Sequence, residues 1–324
     1  MLQTAGFFAF IADNRTMGIH RSGLNGVASL IPRGSGNNLF VPSTVGLNYE
    51  TLGLQGAPTF ISPKGSPFEP RCEPMTIHHA DERSVVLVQP ETSHARVSAR
   101  ITFHVEEPHY LHQRIELTFH RRFVEPGRPS RFTSLFASYI HTPPDPHLYF
   151  KVDPGTSPLS DWIGITQERA GSPHLIKRLP SDRELDAAGH LAAMAGGAPL
   201  SGSDIAATGW PERAFPRFRE GSCPFYYGIC FDHMVLKMFR QPERVAIVYS
   251  PDGGGQEMVY TGGDGPDRMV RNPAWDFNLV LNDVEEGRTY AWDVCLALLP
   301  MSTRAQVVEE YRRYRARPEW SASA

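Results

Sequence analysis

Between His94 and His120 the chain alternates polar and apolar side chains with a period of two, broken by a single turn, a pattern no helix can satisfy. His94, Arg96, Ser98, Arg100, Thr102 and His104 fall on one side, and Ala95, Val97, Ala99, Ile101 and Phe103 on the other. After Glu106-Glu107-Pro108 the pattern resumes, with Tyr110, His112, Arg114, Glu116, Thr118 and His120 against Leu111, Gln113, Ile115, Leu117 and Phe119. Successive side chains of a strand leave opposite faces, so the pattern predicts two long antiparallel strands, 94–104 and 110–120. One face carries imidazole, guanidinium and hydroxyl groups, which bind sugars and acids. The same face also reads as the solvent side of an ordinary antiparallel sheet, with Arg100, Arg114 and Glu116 as cross-strand charge pairs.

The rest of the chain repeats this texture in shorter pieces. Gly and Pro, 28 of each, punctuate it. Between them lie strand-like runs at 84–89, 132–141, 162–167, 234–239, 244–250, 275–282 and 289–299, and the apolar residues Phe7, Phe8, Phe10 and Ile11 read as a first strand. Many short strands separated by turn signals indicate an all-β sandwich or barrel. Helical patterns do not alternate with them, which argues against a parallel α/β sheet. Two segments read as helix. Ser181-Asp182-Arg183-Glu184 has the form of a capping box, followed by Leu185, Ala188, Leu191 and Ala192 at helical spacing and stopped by Gly196-Gly197. Thr303 and Gln306 form a second box, and Val307, Val308, Tyr311 and Tyr314 then make an apolar stripe that should pack on the sheet and cover an edge. The Gly- and Pro-rich stretch 195–219 reads as a long loop of the kind that serves as a lid or binding rim. The organisation is one domain over 1–324 with a helix-and-loop excursion at about 178–219.

Charge narrows the class of partner. Lys and Arg number 32 against 35 Asp and Glu, a net charge of −3 without long single-sign runs, so neither nucleic acid nor an anionic membrane is indicated. No apolar run approaches the roughly 20 residues of a transmembrane helix. Cys72, Cys223, Cys230 and Cys295 have neither metal-ligand nor disulfide-framework spacing, which fits buried free thiols and a cytoplasmic location.

Several segments carry groups capable of chemistry. His78 and His79 adjoin Asp81 and Glu82, and an imidazole oriented by a carboxylate serves as an acid or base near neutral pH; the segment reads equally as a surface loop. Tyr139 and His141 share a face at the end of a strand stopped by Pro143-Pro144, where Tyr can hold a sugar hydroxyl or donate a proton and His can shuttle it. Both also fit a core edge with satisfied polar ends. Arg217, Arg219, Tyr226, Tyr227 and His233, with Trp275-Asp276, mix aromatic rings and polar groups in the way sugar faces and hydroxyls require. Asn48 and Glu50 lie two apart, on one face if the segment is a strand. Asp252-Gly253-Gly254-Gly255 lacks the Lys-Ser/Thr of a phosphate loop and reads as a hairpin turn. No metal motif and no cofactor motif is present.

Taken together, Asn25-Gly26, Gly46-Leu47-Asn48-Tyr49-Glu50, Ala137-Ser138-Tyr139-Ile140-His141, Pro224-Phe225-Tyr226-Tyr227-Gly228, Pro251 to Gly255 and Asn272-Pro273-Ala274-Trp275-Asp276-Phe277 resemble the galactose-mutarotase-like β-sandwich superfamily, in an uncharacterised bacterial branch. The resemblance runs from Asn25 to Phe277. It implies a large twisted antiparallel supersandwich with a few short helices, a C-terminal helix and a concave sugar-binding face. It also implies a His acid and a Glu base, carried here by His141 or His79 and by Glu50, with Tyr139 beside them. The function expected is that of a carbohydrate epimerase or lyase working by proton transfer on a sugar or uronic acid. Asn48, Arg71, Gln167, Arg217, Tyr226, Tyr227, Trp275 and Asp276 are the expected substrate contacts. The alternatives are a non-catalytic carbohydrate-binding protein, in which the aromatics matter and the histidines do not, and a metal-dependent sugar enzyme drawing on the thirteen histidines.

Overall fold

Wherever the described residues alternate, they pair as sheet. The structure, a computed structural model, describes residues 1–15, 23–41, 45–54, 68–121, 131–141, 143–151, 162–167, 176–178, 223–241, 245–250, 272–282 and 284–317. The helix expected from Ser181, the loop 195–219 and the turn at 252–255 lie outside these residues. In chain order the elements are β1 (Leu2–Gln3), β2 (Phe7–Ala12), β3 (Gly26–Pro32), β4 (Asn48–Leu54), α1 (Glu69–Cys72), β5 (Thr76–Ala80), β6 (Ser84–Gln89), β7 (Val97–Glu106), β8 (Tyr110–Phe119) and β9 (Arg131–Ala137). They continue with β10 (Asp145–Lys151), β11 (Trp162–Gln167), β12 (Ile176–Arg178), β13 (Phe225–Cys230), β14 (His233–Phe239), β15 (Val245–Ser250), β16 (Ala274–Asn282), β17 (Thr289–Pro300) and α2 (Arg304–Ala316).

These strands form a 3-stranded sheet, β1-β2-β3, a 10-stranded sheet, β12-β11-β10-β13-β14-β17-β8-β7-β6-β5, and a 4-stranded sheet, β15-β16-β9-β4. The pairings within them are antiparallel, as in β7 with β8, β14 with β17 and β9 with β16. The architecture is therefore an all-β sandwich with large antiparallel sheets and a C-terminal helix. Among the described residues no helix is long and apolar enough to cross a membrane.

The main core lies between the large sheet and the 4-stranded sheet. Phe119 of β8 meets Phe132 of β9 edge-on at 4.8 Å between centroids, and Phe239 of β14 meets Phe277 of β16 at 5.3 Å. The middle strands of the large sheet are buried on both faces. In β17, Val294, Leu296 and Leu298 enter the main core, while Cys295, Ala297 and Leu299 join a second cluster with Val307, Val308, Tyr311 and Tyr314 of α2. This corrects the expected placement of the terminal helix. It covers the outer face over the interior strands β14 and β17 rather than an edge, because that face is as apolar as the inner one and leaves more surface to remove from water. Thr303 caps α2 as expected, accepting from the Gln306 N–H while the Gln306 side chain accepts from the Thr303 N–H. Thr303→Ala should therefore cost about 1 kcal/mol of stability, read by urea denaturation.

The β7–β8 hairpin forms with Arg100 opposite Glu116 and His104 opposite His112. Its polar face is tied sideways: Arg100 lies 3.9 Å from Glu116, and Arg114 lies 3.2 Å from Asp293 of β17. Ser98 Oγ is 2.8 Å from His120 Nε2, and His112 Nε2 is 3.0 Å from Glu106. These groups range from mostly buried to half-exposed and engage one another, as on a solvent-side sheet face. The strand begins at Val97, later than expected, because Arg96 takes a left-handed φ of 56°. Likewise β9 ends at Ala137. Beyond it, Tyr139 and Ile140 make only isolated bridges, to Ala274 and Phe40.

Candidate functional site

The start of β4, the end of β9 and the start of β16 meet at one end of the 4-stranded sheet, where Asn48 faces Ala137 and Tyr139 bridges to Ala274. A tight entry delivers the chain there: Val45 and Leu47 hold positive φ of 54° and 50° on either side of Gly46. A β-branched residue in that region is strained and needs its surroundings to hold it. Here Val45 N–H donates to the Val41 carbonyl, Gly46 and Val27 exchange backbone hydrogen bonds, and Leu47 N–H donates to Ser138 Oγ. Asn25, fully buried, stands in for a strand neighbour, since its side chain both donates to the Tyr49 carbonyl and accepts from the Tyr49 N–H, each at 3.0 Å.

Glu50 is the extra residue of a β-bulge, for the pairing with β9 passes from Tyr49–Phe136 directly to Thr51–Leu135. A bulge re-aims side chains. Tyr49 stacks on Phe136 at 5.1 Å and Leu52 also packs on the main core, a parity that an unbroken strand would forbid. Glu50 is left to face buried polar groups. Its Oε1 accepts from Arg71 Nη1 at 2.6 Å and from the Tyr139 hydroxyl at 2.7 Å. Arg71 comes from the single turn α1, and its Nε donates to the Gly23 carbonyl at 2.5 Å. Gly23 has φ of 151°, and a Cβ there would lie 2.5 Å from the Arg71 carbonyl, so only glycine allows this approach. Burial, reinforced by the negative charge of Glu50, holds the Tyr139 hydroxyl well above its ordinary pKa, and it remains a proton donor.

A second carboxylate adjoins the first. Asp276 of β16 accepts from the Ser138 N–H at 2.8 Å. Burial, followed by the charge of Glu50, pushes it well above the usual carboxylate range. Asp276 lies on the side of β16 opposite Trp275, Phe277 and Leu279, which all point into the main core. From that core side, Lys237 of β14 donates to Ser138 Oγ at 2.6 Å and to the Trp275 carbonyl at 2.8 Å. Glu50, Arg71, Tyr139, Asp276, Ser138 and Lys237 are all between 0% and 3% exposed.

The expected site residues divide accordingly. Glu50, Tyr139, Arg71 and Asp276 come together. Asn48, fully buried on β4, accepts from the Asn25 N–H at 3.3 Å, while its Nδ2 finds no hydrogen-bond partner among the described residues. His141 is half-buried, ties its backbone to Leu39 and sets its ring edge-on to Phe231 at 6.2 Å. His79 is exposed on the edge strand β5 and pairs with Asp81 at 2.9 Å, which holds that carboxyl down at about 2. Neither histidine is hydrogen-bonded to the buried group among the contacts described. Tyr226 points into the main core and donates to the Trp275 carbonyl at 3.0 Å. Tyr227 lies on the opposite face of the large sheet, stacked on Tyr149 at 5.1 Å with Arg304 donating to its hydroxyl at 3.4 Å. The Trp275 ring is fully buried in the core. Its position in the strand alternation turns it inward, away from the surface where a sugar would stack. Gln167 ends β11 opposite Ile176, described only in its backbone, and Arg217 lies outside the described residues.

Sequence reasoning passed over Lys237 and gave Ser138 no role. A signal for Lys237 was present, since it alternates with Val235 and Phe239 and so stands on the apolar side of β14. Among the described residues no group of three or more His, Cys, Asp or Glu is gathered as a metal ion would require.

Fold and site together define an all-β sandwich with a buried group of ionisable side chains at one end of its 4-stranded sheet. No family model matches the chain, and no curated protein matches it in sequence. Among solved structures it is similar in fold to an Escherichia coli K12 protein provisionally assigned as an aldose 1-epimerase, with 8% identity, 93% of this chain and 98% of that one covered, and a TM-score of 0.48. It is also similar to a galactose mutarotase related enzyme from Lactobacillus acidophilus, with 8% identity, coverage of 93% and 97%, and a TM-score of 0.46. A heparan sulfate lyase HepC mutant from Pedobacter heparinus shares 7% identity over 93% of this chain and 36% of its own, with a TM-score of 0.38.

Proposed function

We propose that this protein is a carbohydrate-active enzyme that works by proton transfer, as an epimerase or lyase, with the group around Glu50 as its chemical centre. The observation that carries the reading is the shared oxygen of Glu50, which holds a tyrosine hydroxyl and a guanidinium at 2.7 and 2.6 Å. Epimerisation and elimination both need a base to take a proton and an acid to return one, and a cation to steady the charge between. Glu50 is the base and Tyr139 the acid. Arg71 pairs with Glu50 and stands against a substrate carboxylate or developing enolate. Asn48 supplies a free amide N–H for a sugar hydroxyl, and His141, on the same segment as Tyr139, is a further proton donor. The partner is a small or oligomeric carbohydrate. A reducing, cytoplasmic setting accords with four cysteines that form no disulfide, three of them buried.

The test is a panel of aldoses, uronic acids and uronate-containing oligosaccharides. Anomer or epimer exchange is read by NMR, and unsaturated uronate by ultraviolet absorbance. Turnover by the native protein should fall at least about 100-fold in Tyr139→Phe, the effect of removing a general acid. Affinity should stay within about tenfold, or 1.4 kcal/mol. The near-complete enclosure of the group favours a second reading, in which it is a polar strut inside a carbohydrate-binding protein. Saturable sugar binding without turnover, unchanged in Tyr139→Phe, would decide for that reading.

A further inference from the structure

Lys237 is fully enclosed on the core side of β14, where Val235 and Phe239 beside it bury apolar side chains. An ammonium group is unfavourable there unless hydrogen bonds and an opposite charge are matched to it. Two routes lead from it to Asp276. Nζ donates to Ser138 Oγ at 2.6 Å, and the backbone N–H of that same serine donates to Asp276 Oδ1 at 2.8 Å. Nζ also donates at 2.8 Å to the carbonyl of Trp275, the peptide that leads directly into Asp276. Ser138 thus sits between a lysine below the small sheet and a carboxylate on its other side.

We propose that Lys237 is a positioning residue for the Glu50–Asp276 carboxylate pair, gripping Ser138 and the Trp275 carbonyl from beneath the small sheet and supplying the positive charge that lets Asp276 ionise beside Glu50. The role rests on the proton-transfer reading of this site. Asp276 on β16 feels the charges of Glu50 from β4 and Lys237 from β14 and acts in turn on Tyr139 beyond the end of β9 and Tyr226 from β13, while Arg71 from α1 reaches the group through Glu50. Arg71 is always protonated and already bound to Glu50, and the tyrosines are held protonated by burial. The proton balance therefore lies between Lys237 and Asp276. Burial drives the lysine down to about 7, while burial and the charge of Glu50 drive the aspartate well above the usual carboxylate range, so the two shifts run toward each other and the pair titrates as a unit. With Asp276 protonated the site offers one base and an additional acid. With Asp276 ionised it offers two bases. Lys237 sets which of these states meets the substrate.

The experiment titrates the substrate-free protein by NMR, following the Asp276 carboxyl carbon and the Lys237 Nζ, assigned with Asp276→Asn and Lys237→Arg. Both signals should respond to the same macroscopic steps, with Lys237 titrating below its ordinary range and Asp276 above its own. Lys237→Met should raise the Asp276 midpoint by at least about one pH unit, and Lys237→Arg should return it toward the native value. The acid limb of kcat/KM should shift with it. A lysine that titrates independently near its ordinary value of about 10.4, or an Asp276 midpoint unmoved in Lys237→Met, would overturn the proposal. If Lys237→Met does not fold, the native titration alone decides. Because the titration needs no substrate, a protein that turns over no sugar yet shows the coupled titration loses the proton-transfer reading and keeps the lysine–aspartate coupling.

Discussion

Trp275→Ala should destabilise the protein by about 3–5 kcal/mol in urea or guanidinium denaturation, among the largest single losses available in this fold. The ring is fully buried, in a row with Phe277, Leu279 and Leu281 along the inner face of β16. It fills the space that Gly228 of β13 leaves open, where an added Cβ would come within 2.3 Å of the Trp275 ring. The surrounding strands are tied into two sheets and cannot collapse far into the hole, which puts the cost near the upper end of the cavity range. Gly228→Ala attacks the same contact from the other side by overpacking and should cost at least about 1–3 kcal/mol. A Trp275→Ala protein as stable as the native one would mean that the ring lies outside the core.

Glu50→Ala should be comparably severe for a different reason, at about 3–5 kcal/mol, together with loss of any turnover. It removes the carboxylate from a guanidinium that is 1% exposed and cannot shed its proton, leaving a buried charge without its counter-ion. The Tyr139 hydroxyl loses its acceptor in the same step. The distinguishing measurement is the double variant Glu50→Gln with Arg71→Met. Removing both charges should recover much of the stability lost by either alone, since an unpaired charge costs more than an absent pair. Turnover should remain lost. Recovery of activity together with stability would exclude Glu50 from the chemistry.

What the chain states locally, it states clearly. The alternation from His94 to His120 and the capping box at Thr303 are i,i+2 and i,i+3 relations, decided within one strand or one turn, and they survive in β7, β8 and α2 with shifts of a few residues at the ends. Strand alternation sets Trp275 and Asp276 on opposite faces of β16, yet both stand among the expected sugar contacts, since alternation alone leaves open which face is the inner one. Both faces of the large sheet are buried, one against the small sheet and the other beneath α2, so neither apolarity nor aromatic content could say which rings were core and which faced a ligand. The polar group was out of local reach altogether. Glu50 meets Arg71 across 21 residues and Tyr139 across 89, while Ser138 meets Lys237 across 99 and Asp276 across 138. A one-residue bulge turns Glu50 toward them, and no periodicity announces it. By itself the sequence determined the β7–β8 hairpin, several further strands and the terminal helix, because their hydrogen bonds and side-chain faces repeat over two to four residues. Only the tertiary structure decided which charges share the buried site, because long-range strand register and the cost of burying an unmatched charge select those partners jointly.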